Sequence, residues 1–497
     1  LDHHFFQEKF DLKMRLPVVI FFVFSGLAVQ AQSRPVMQPV AMKEDLAFLR
    51  HYLESTHPMY YIHHTRQEMN AFMDSLSGTL DKPLPFLEFY KKIALVIAAV
   101  GCEHTYCNYG DGFDKLIKSA VFLPYQLYFI NNKVHVLVNL TSEKDILPGD
   151  ELITINNYPI DSIRRVLHSL IPVDGDMEGP RDTRLSSMSF NIWYYLFVEQ
   201  AKQFTLSFRN RQGSLVTKTV KGVKLKDMNQ QAVRNPVNKQ VFELDARLKE
   251  LRKEPLRIEL LPGKKAALLT VQTFSMEMDR FRKQIDSLFQ LAAKNSIETL
   301  ILDLRYNGGG EVELAADLLN YFITAPTSIV EYSYIITDRD EDFKLANIPD
   351  EMRKDKYKFI EPLKDGKSYV KLTPYSGELK MLQPRTDRFT GKVYILANGG
   401  TSSAASTFTG VMKSLGLATI VGEETVGGYL GGGTVIGLDL TLPNSKITAH
   451  SGLVYQRFRT SGEELHRGVT PDVPYVMSFE DMFSQERPWL KFVMDLR

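Results

Sequence analysis

Cysteine is nearly absent from this chain: 497 residues hold two, Cys102 and Cys107. Both lie in Gly101-Cys-Glu-His-Thr-Tyr-Cys107, which leaves one small loop-closing disulfide or two free thiols as the alternatives. That segment has too few ligands for a zinc site, and no His-Glu-x-x-His pattern occurs anywhere, so no metal or other cofactor is expected. Charge of one sign is lacking too. Sixty basic against 59 acidic residues give a formal charge of +1, which provides no field for nucleic acid or an anionic membrane. Long apolar runs are also missing: the stretch within Met14–Ala31 is too short for a comfortable membrane span. With a basic start, an apolar middle and Val29 and Ala31 as small flanking residues, it reads instead as an export signal cleaved after Ala31. An uncleaved anchor is the alternative. No integral span is expected once the signal is removed.

What is present is an ordinary globular composition, 44% hydrophobic and 24% charged, in a chain long enough for two or three domains. The organising stretch is Ile395-Leu-Ala-Asn-Gly-Gly-Thr-Ser-Ser-Ala-Ala-Ser-Thr-Phe408. An apolar strand, 392–397, stops at two glycines and restarts as a small-residue helix from Ser402 to Leu415. First-turn amides of a helix have no partner within it, so a hydroxyl at that mouth has donors for a negative oxygen beside it. Thr401, Ser402 and Ser403 could equally be plain helix caps. A second strand ending in glycines, Leu300-Ile-Leu-Asp-Leu-Arg-Tyr-Asn-Gly-Gly-Gly310, favours the chemical reading by offering further donors.

In chain order, apolar residues at helical spacing predict helices over 42–56, 65–76 and 85–100, the last delivering His104 in the loop past Gly101. From about 120 to 223, short alternating runs such as Val134–Val138 and Phe204–Phe208 predict strands. The run Leu147–Ile160 predicts a turn, a strand, a hairpin and then a helix over 162–170. It resembles the middle of a PDZ domain, although no glycine-flanked carboxylate clamp appears near Leu123–Phe129. Peptide binding and a packing or lid role stay open for it. Residues 224–262 read as a linker, and 338–388 as a polar insertion. Strands over 266–271, 299–304, 393–397 and 419–422 alternate with helices over 276–294, 311–322 and 403–415. That alternation predicts a mostly parallel sheet with reactive loops at the carboxyl ends of its strands.

Four strings then carry a family resemblance: Asp303-Leu-Arg-Tyr-Asn-Gly-Gly-Gly310, Asn398–Phe408, Ile420-Val-Gly-Glu-Glu-Thr-Val-Gly-Gly428 and Gly468-Val-Thr-Pro-Asp-Val473. In order and context they resemble the C-terminal processing (tail-specific) serine peptidases over about residues 42–475. The resemblance implies an α/β, crotonase-like (ClpP/crotonase spiral) core with an N-terminal helical region and an inserted PDZ-like domain. The corresponding boundaries are 1–31 leader and signal, 32–118 helical region, 119–225 PDZ-like domain and 226–497 peptidase core. It also implies an exported serine peptidase acting on peptides or unfolded protein tails. The register puts the nucleophile at Ser403 rather than Ser402 or Ser406, and the usual general-base lysine at Gly428. No lysine occurs from Glu423 to Thr434. His104, placed like the histidine of the tricorn-like branch that also lacks the lysine, is then the expected base and acid. Ala404 with Gly308 or Gly309 would supply the oxyanion hole, and Glu464, preferred over Glu463 and Glu103, the orienting carboxylate. Asp303 and Arg305 read as structural, and Gly427–Gly433 as a substrate-cleft loop. A silent relative that binds peptides or hydrophobic ligands in the same cleft is the alternative.

Overall fold

In a computed structural model of the chain, the strand–helix alternation from residue 256 onward forms one six-stranded sheet whose spatial order equals its chain order. The structure describes residues 36–337, 339, 341, 360–362, 370–372, 381–462 and 465–496. The expected export signal, much of the 338–388 insertion, Glu463 and Glu464 lie outside the described residues. The sheet strands are β1 (Leu256–Leu261), β2 (Ala266–Val271), β3 (Thr299–Asp303), β4 (Lys392–Ala397), β5 (Thr419–Gly422) and β6 (Val473–Pro474). β1 runs antiparallel to β2, and every other pairing is parallel.

Side chains alternate across a strand, and here both faces are covered, so the strands read as continuous apolar runs. Leu300, Leu302, Val393, Ile395 and Ala397 face one core, packed under α1 (Met278–Lys294), α2 (Val312–Leu319) and α3 (Ala404–Ser414). Ile301, Tyr394, Leu396 and Val421 face the other, closed by Leu490 and Val493 of the C-terminal helix Pro488–Asp495. Phe408 of α3 is fully buried and meets the rings of Phe274 and Phe322.

The N-terminal helices are Pro39–Thr56, Arg66–Gly78 and Phe86–Ala99. The second begins at a reciprocal cap: Thr65 accepts from the Glu68 amide, and Glu68 accepts from the Thr65 amide. After them in the chain comes an antiparallel sheet of Tyr125–Ile130, Lys133–Asn139, Glu151–Ile155, Gln203–Arg209 and Leu215–Lys221. The hairpin and helix expected after residue 147 are there, as Tyr158–Pro159 and Ile160–His168. One reading is corrected. Residues 224–262 are no linker but two helices, Leu225–Arg234 and Lys239–Arg252, followed by β1. Met228, Ala232, Val241 and Leu244 pack against Phe122 and Val138, so the charges that suggested a linker are the outer faces of amphipathic helices.

One small sheet positions the site. Tyr106–Asn108 pairs with Thr448–Gly452, which pairs with Gly437–Thr441, so the loop before Tyr106 is tied to the core some 340 residues later in the chain.

Phe408→Ala is expected to cost about 3–5 kcal/mol of stability. Leu415→Ala, at the exposed end of α3, is expected to stay within about 0.5 kcal/mol. Denaturant midpoints of the two variants check this.

Candidate active site

The two glycine turns follow β3 and β4, neighbouring parallel strands, and are knitted together by hydrogen bonds. Asn398 Oδ1 accepts from the Tyr306 amide (3.0 Å) and the Gly400 amide (3.1 Å). Thr401 Oγ1 donates to the Leu304 carbonyl at 3.0 Å, and the Ser402 amide donates to the Asn307 carbonyl at 3.0 Å. At this junction Ser403 takes φ 51° and ψ −128°. A non-glycine residue there carries about 1–3 kcal/mol of strain, which persists only where the surroundings impose it. Gly309 shows what imposes it. At φ +92° it lies so close that a Cβ on it would sit 2.7 Å from Ser403 Cβ and 3.0 Å from the Ala404 nitrogen.

Of the expected oxyanion donors, the Ala404 and Gly308 amides carry no hydrogen bond among the described residues. The Gly309 amide is spent on Asn307 Oδ1 at 2.9 Å, so of the two glycines Gly308 has the free donor and Gly309 the shape. Asn307 is itself fixed by donating to the Val271 carbonyl at 2.9 Å.

Glu103 and His104 occupy the middle of a turn closed by the Thr105 amide on the Cys102 carbonyl (3.1 Å). Thr105 Oγ1 in turn holds His57 Nε2 at 2.6 Å. The turn brings the Glu103 carboxylate beneath the serines. Its Oε1 accepts from the Ser403 amide at 3.0 Å, and its Oε2 accepts from the Ser402 hydroxyl at 2.7 Å and from Arg184 at 3.0 Å. His104 follows directly in the chain. No hydrogen bond joins its ring to Ser403 Oγ among the described residues, and its Nδ1 is buried without a partner. Burial lowers the imidazole pKa below its ordinary 6.5, partly opposed by the neighbouring Glu103 charge.

Asp174 completes the buried group. Its Oδ1 accepts from the Glu103 amide at 2.7 Å and its Oδ2 from the Gly428 amide at 3.1 Å. Burial, and then the Glu103 charge, push its carboxyl up to about 8. Gly428, where the resemblance would put a lysine, has no room for one: a Cβ there would lie 2.4 Å from the Gly431 carbonyl oxygen. The expected cleft loop 427–433 thus wraps Asp174 and ends as the strand Gly431–Gly433.

Cys102 and Cys107 are free thiols; burial pushes each up to about 12. Asp303 and Arg305 form a two-bonded ion pair (2.9 and 2.7 Å) with the guanidinium stacked on Trp489, consistent with their structural reading. No group of three or more metal-ligating side chains occurs among the described residues, nor any helix long and apolar enough to cross a membrane. Sequence reasoning passed over Asp174, Arg184, Asn307 and Asn398. The two asparagines had a signal, since each directly precedes glycines in the turn that follows a strand. The other two are single charged residues far away in the chain and had none.

Residues 265–475 match the family model described as Peptidase family S41. Probable CtpA-like serine proteases of Staphylococcus epidermidis and Staphylococcus haemolyticus are each 24% identical over 178 residues, 36% of this chain. The match spans only 29% and 28% of those relatives' lengths. The solved structure of mature CPAF superposes with a TM-score of 0.61 at 17% identity, covering 92% of this chain and 97% of that one. That likeness establishes a shared mixed α/β fold. The resemblance carried by the four strings, all within residues 265–475, is therefore found again by comparison of sequence.

The raised Asp174 carboxyl has a consequence for stability. Between its ordinary 3.8 and about 8 the folded chain keeps a proton that the unfolded chain releases. Its contribution is therefore full below 3.8 and lost as pH rises through 8. Asp174→Asn is expected to flatten the fall in thermal midpoint between pH 6 and 8 relative to wild type, as measured by calorimetry across that range.

Proposed function

We propose that this chain is a serine peptidase that hydrolyses peptide bonds in peptides or unfolded protein tails, with Ser403 as nucleophile and His104 as base and acid. The observation that carries the reading is the strained Ser403 backbone at a strand–turn–helix junction, with the unpaired Ala404 amide next to it. His104 would take the Ser403 hydroxyl proton as Oγ bonds to the carbonyl carbon. The Ala404 and Gly308 amides would hold the resulting oxyanion. His104 would then pass its proton to the leaving amine, and water would release the acyl group by the same steps. Glu464 is the carboxylate assigned to orient His104, whose buried Nδ1 calls for such a partner. Gly309 shapes the turn. In the same reading the core is crotonase-like, the 119–225 unit PDZ-like, and the 14–31 segment an export signal leading to a periplasmic or secreted enzyme.

A second reading, a silent relative that binds peptides in this cleft, draws on the absent lysine and the unmade Ser403–His104 hydrogen bond. Catalytic hydrogen bonds often form only with substrate bound, which favours the first.

Ser403→Ala and His104→Ala are each expected to lower kcat/KM by at least about 10³-fold on a peptide the wild type cleaves, with circular dichroism unchanged. Turnover that survives Ser403→Ala excludes the reading. The pH profile of kcat/KM should fall on the acid side, with its midpoint below 6.5, because a buried imidazole resists protonation and is a base only while neutral.

A further inference from the structure

Three donors converge on the Glu103 carboxylate: the Ser403 amide on Oε1, and the Ser402 hydroxyl and Arg184 on Oε2. Two of them, the amide and the guanidinium, can only donate, and they sit on different oxygens. A carboxylate satisfies both. A carboxamide, whose NH2 can only donate, opposes one of them. The geometry of these three donors therefore suits a carboxylate.

The Glu103 bond to the Ser403 amide fixes the residue whose φ of 51° is the costliest feature of the turn. A charge-assisted bond to a buried carboxylate is about twice as strong as a neutral one, enough to offset much of that strain. The carboxylate is itself aimed from another unit. Arg184 belongs to the helix Glu178–Leu185, and Asp174 to the segment before it, both within the 119–225 region. Arg184 is anchored by donating to the Pro172 carbonyl at 2.6 Å.

We propose that Glu103 is a positioning residue of the nucleophile turn, and that Arg184 and Asp174 hold it there so that seating of the 119–225 unit on the core sets the Ser403 geometry. This rests on Ser403 being the nucleophile. Glu103 does not touch the reacting atoms; it acts through the Ser403 backbone and the Ser402 hydroxyl. The charged and titratable groups facing it are Arg184, Asp174, the adjacent His104 and the Cys102 thiol.

The test uses the full chain and three variants, Glu103→Gln, Glu103→Asp and Ser403→Ala. Active sites are counted by fluorophosphonate titration, and a quenched fluorescent peptide reads turnover. Glu103→Gln keeps size and loses charge; Glu103→Asp keeps charge and withdraws it by one methylene. Each is expected to lower kcat per titrated site by about 10²-fold, the cost of misplacing a nucleophile by about 1 Å, with KM within about twofold. A residue that only supports the fold would reduce the number of active sites and leave kcat per site unchanged, which overturns the proposal. Hydrogen exchange over 398–408 gives a readout independent of turnover. Exchange should quicken about tenfold in Glu103→Gln while 392–397 stays protected, and equal rates overturn the inference. Activity retained by Ser403→Ala defeats the peptidase assignment instead, and the exchange result still decides the role of Glu103.

Discussion

The backbone of Ser403 is held where an L-residue does not rest of its own accord, and much of the surrounding structure can be understood as what holds it. Gly309 crowds it from the first glycine turn, the Ser402 amide ties it to Asn307, and Glu103 pulls on its amide from below. The restraints come from two distant parts of the chain, the first glycine turn and the loop before Tyr106. The result is a hydroxyl at the mouth of α3 beside amides with no partner among the described residues, the arrangement the proposed reaction would need for its developing charge.

Preparation of this kind needs a rigid base. The two turns sit at the carboxyl ends of neighbouring strands whose faces are both covered, so their spacing is fixed by the β3–β4 register and by cores such as the Phe274–Phe408–Phe322 cluster. The Glu103–His104 turn is anchored through the pairing of Tyr106–Asn108 with Thr448–Gly452. Glycines at 428 and 432 leave the space in which Asp174 is enclosed: a Cβ on Gly432 would lie 2.6 Å from its Oδ2.

Much of this was legible in the sequence because it is written in local patterns. β2 and β5 have the bounds that the apolar runs indicate, and the three N-terminal helices begin and end within about three residues of their periodic segments. The serine and its glycine turns stand out because strand, turn and small-residue helix follow one another without a break. The helices at 225–252 were lost because their buried stripe is narrow and their charged faces dominate the composition. Asp174 and Arg184 were lost for a different reason, and Glu103 was ranked below Glu464. None has a local pattern that marks it, and only folding across some 70 to 300 positions brings them together.

The claim beneath all of this is that the strained residue, and not its neighbour on Glu103, is the nucleophile. Ser402 is the natural competitor, since its hydroxyl already donates to a carboxylate at 2.7 Å. The most direct measurement is peptide mapping by mass spectrometry after reaction of the intact chain with a fluorophosphonate, which locates the phosphonylated oxygen. The adduct is predicted on Ser403 alone and abolished by His104→Ala; an adduct on Ser402, or none on either serine, contradicts the account.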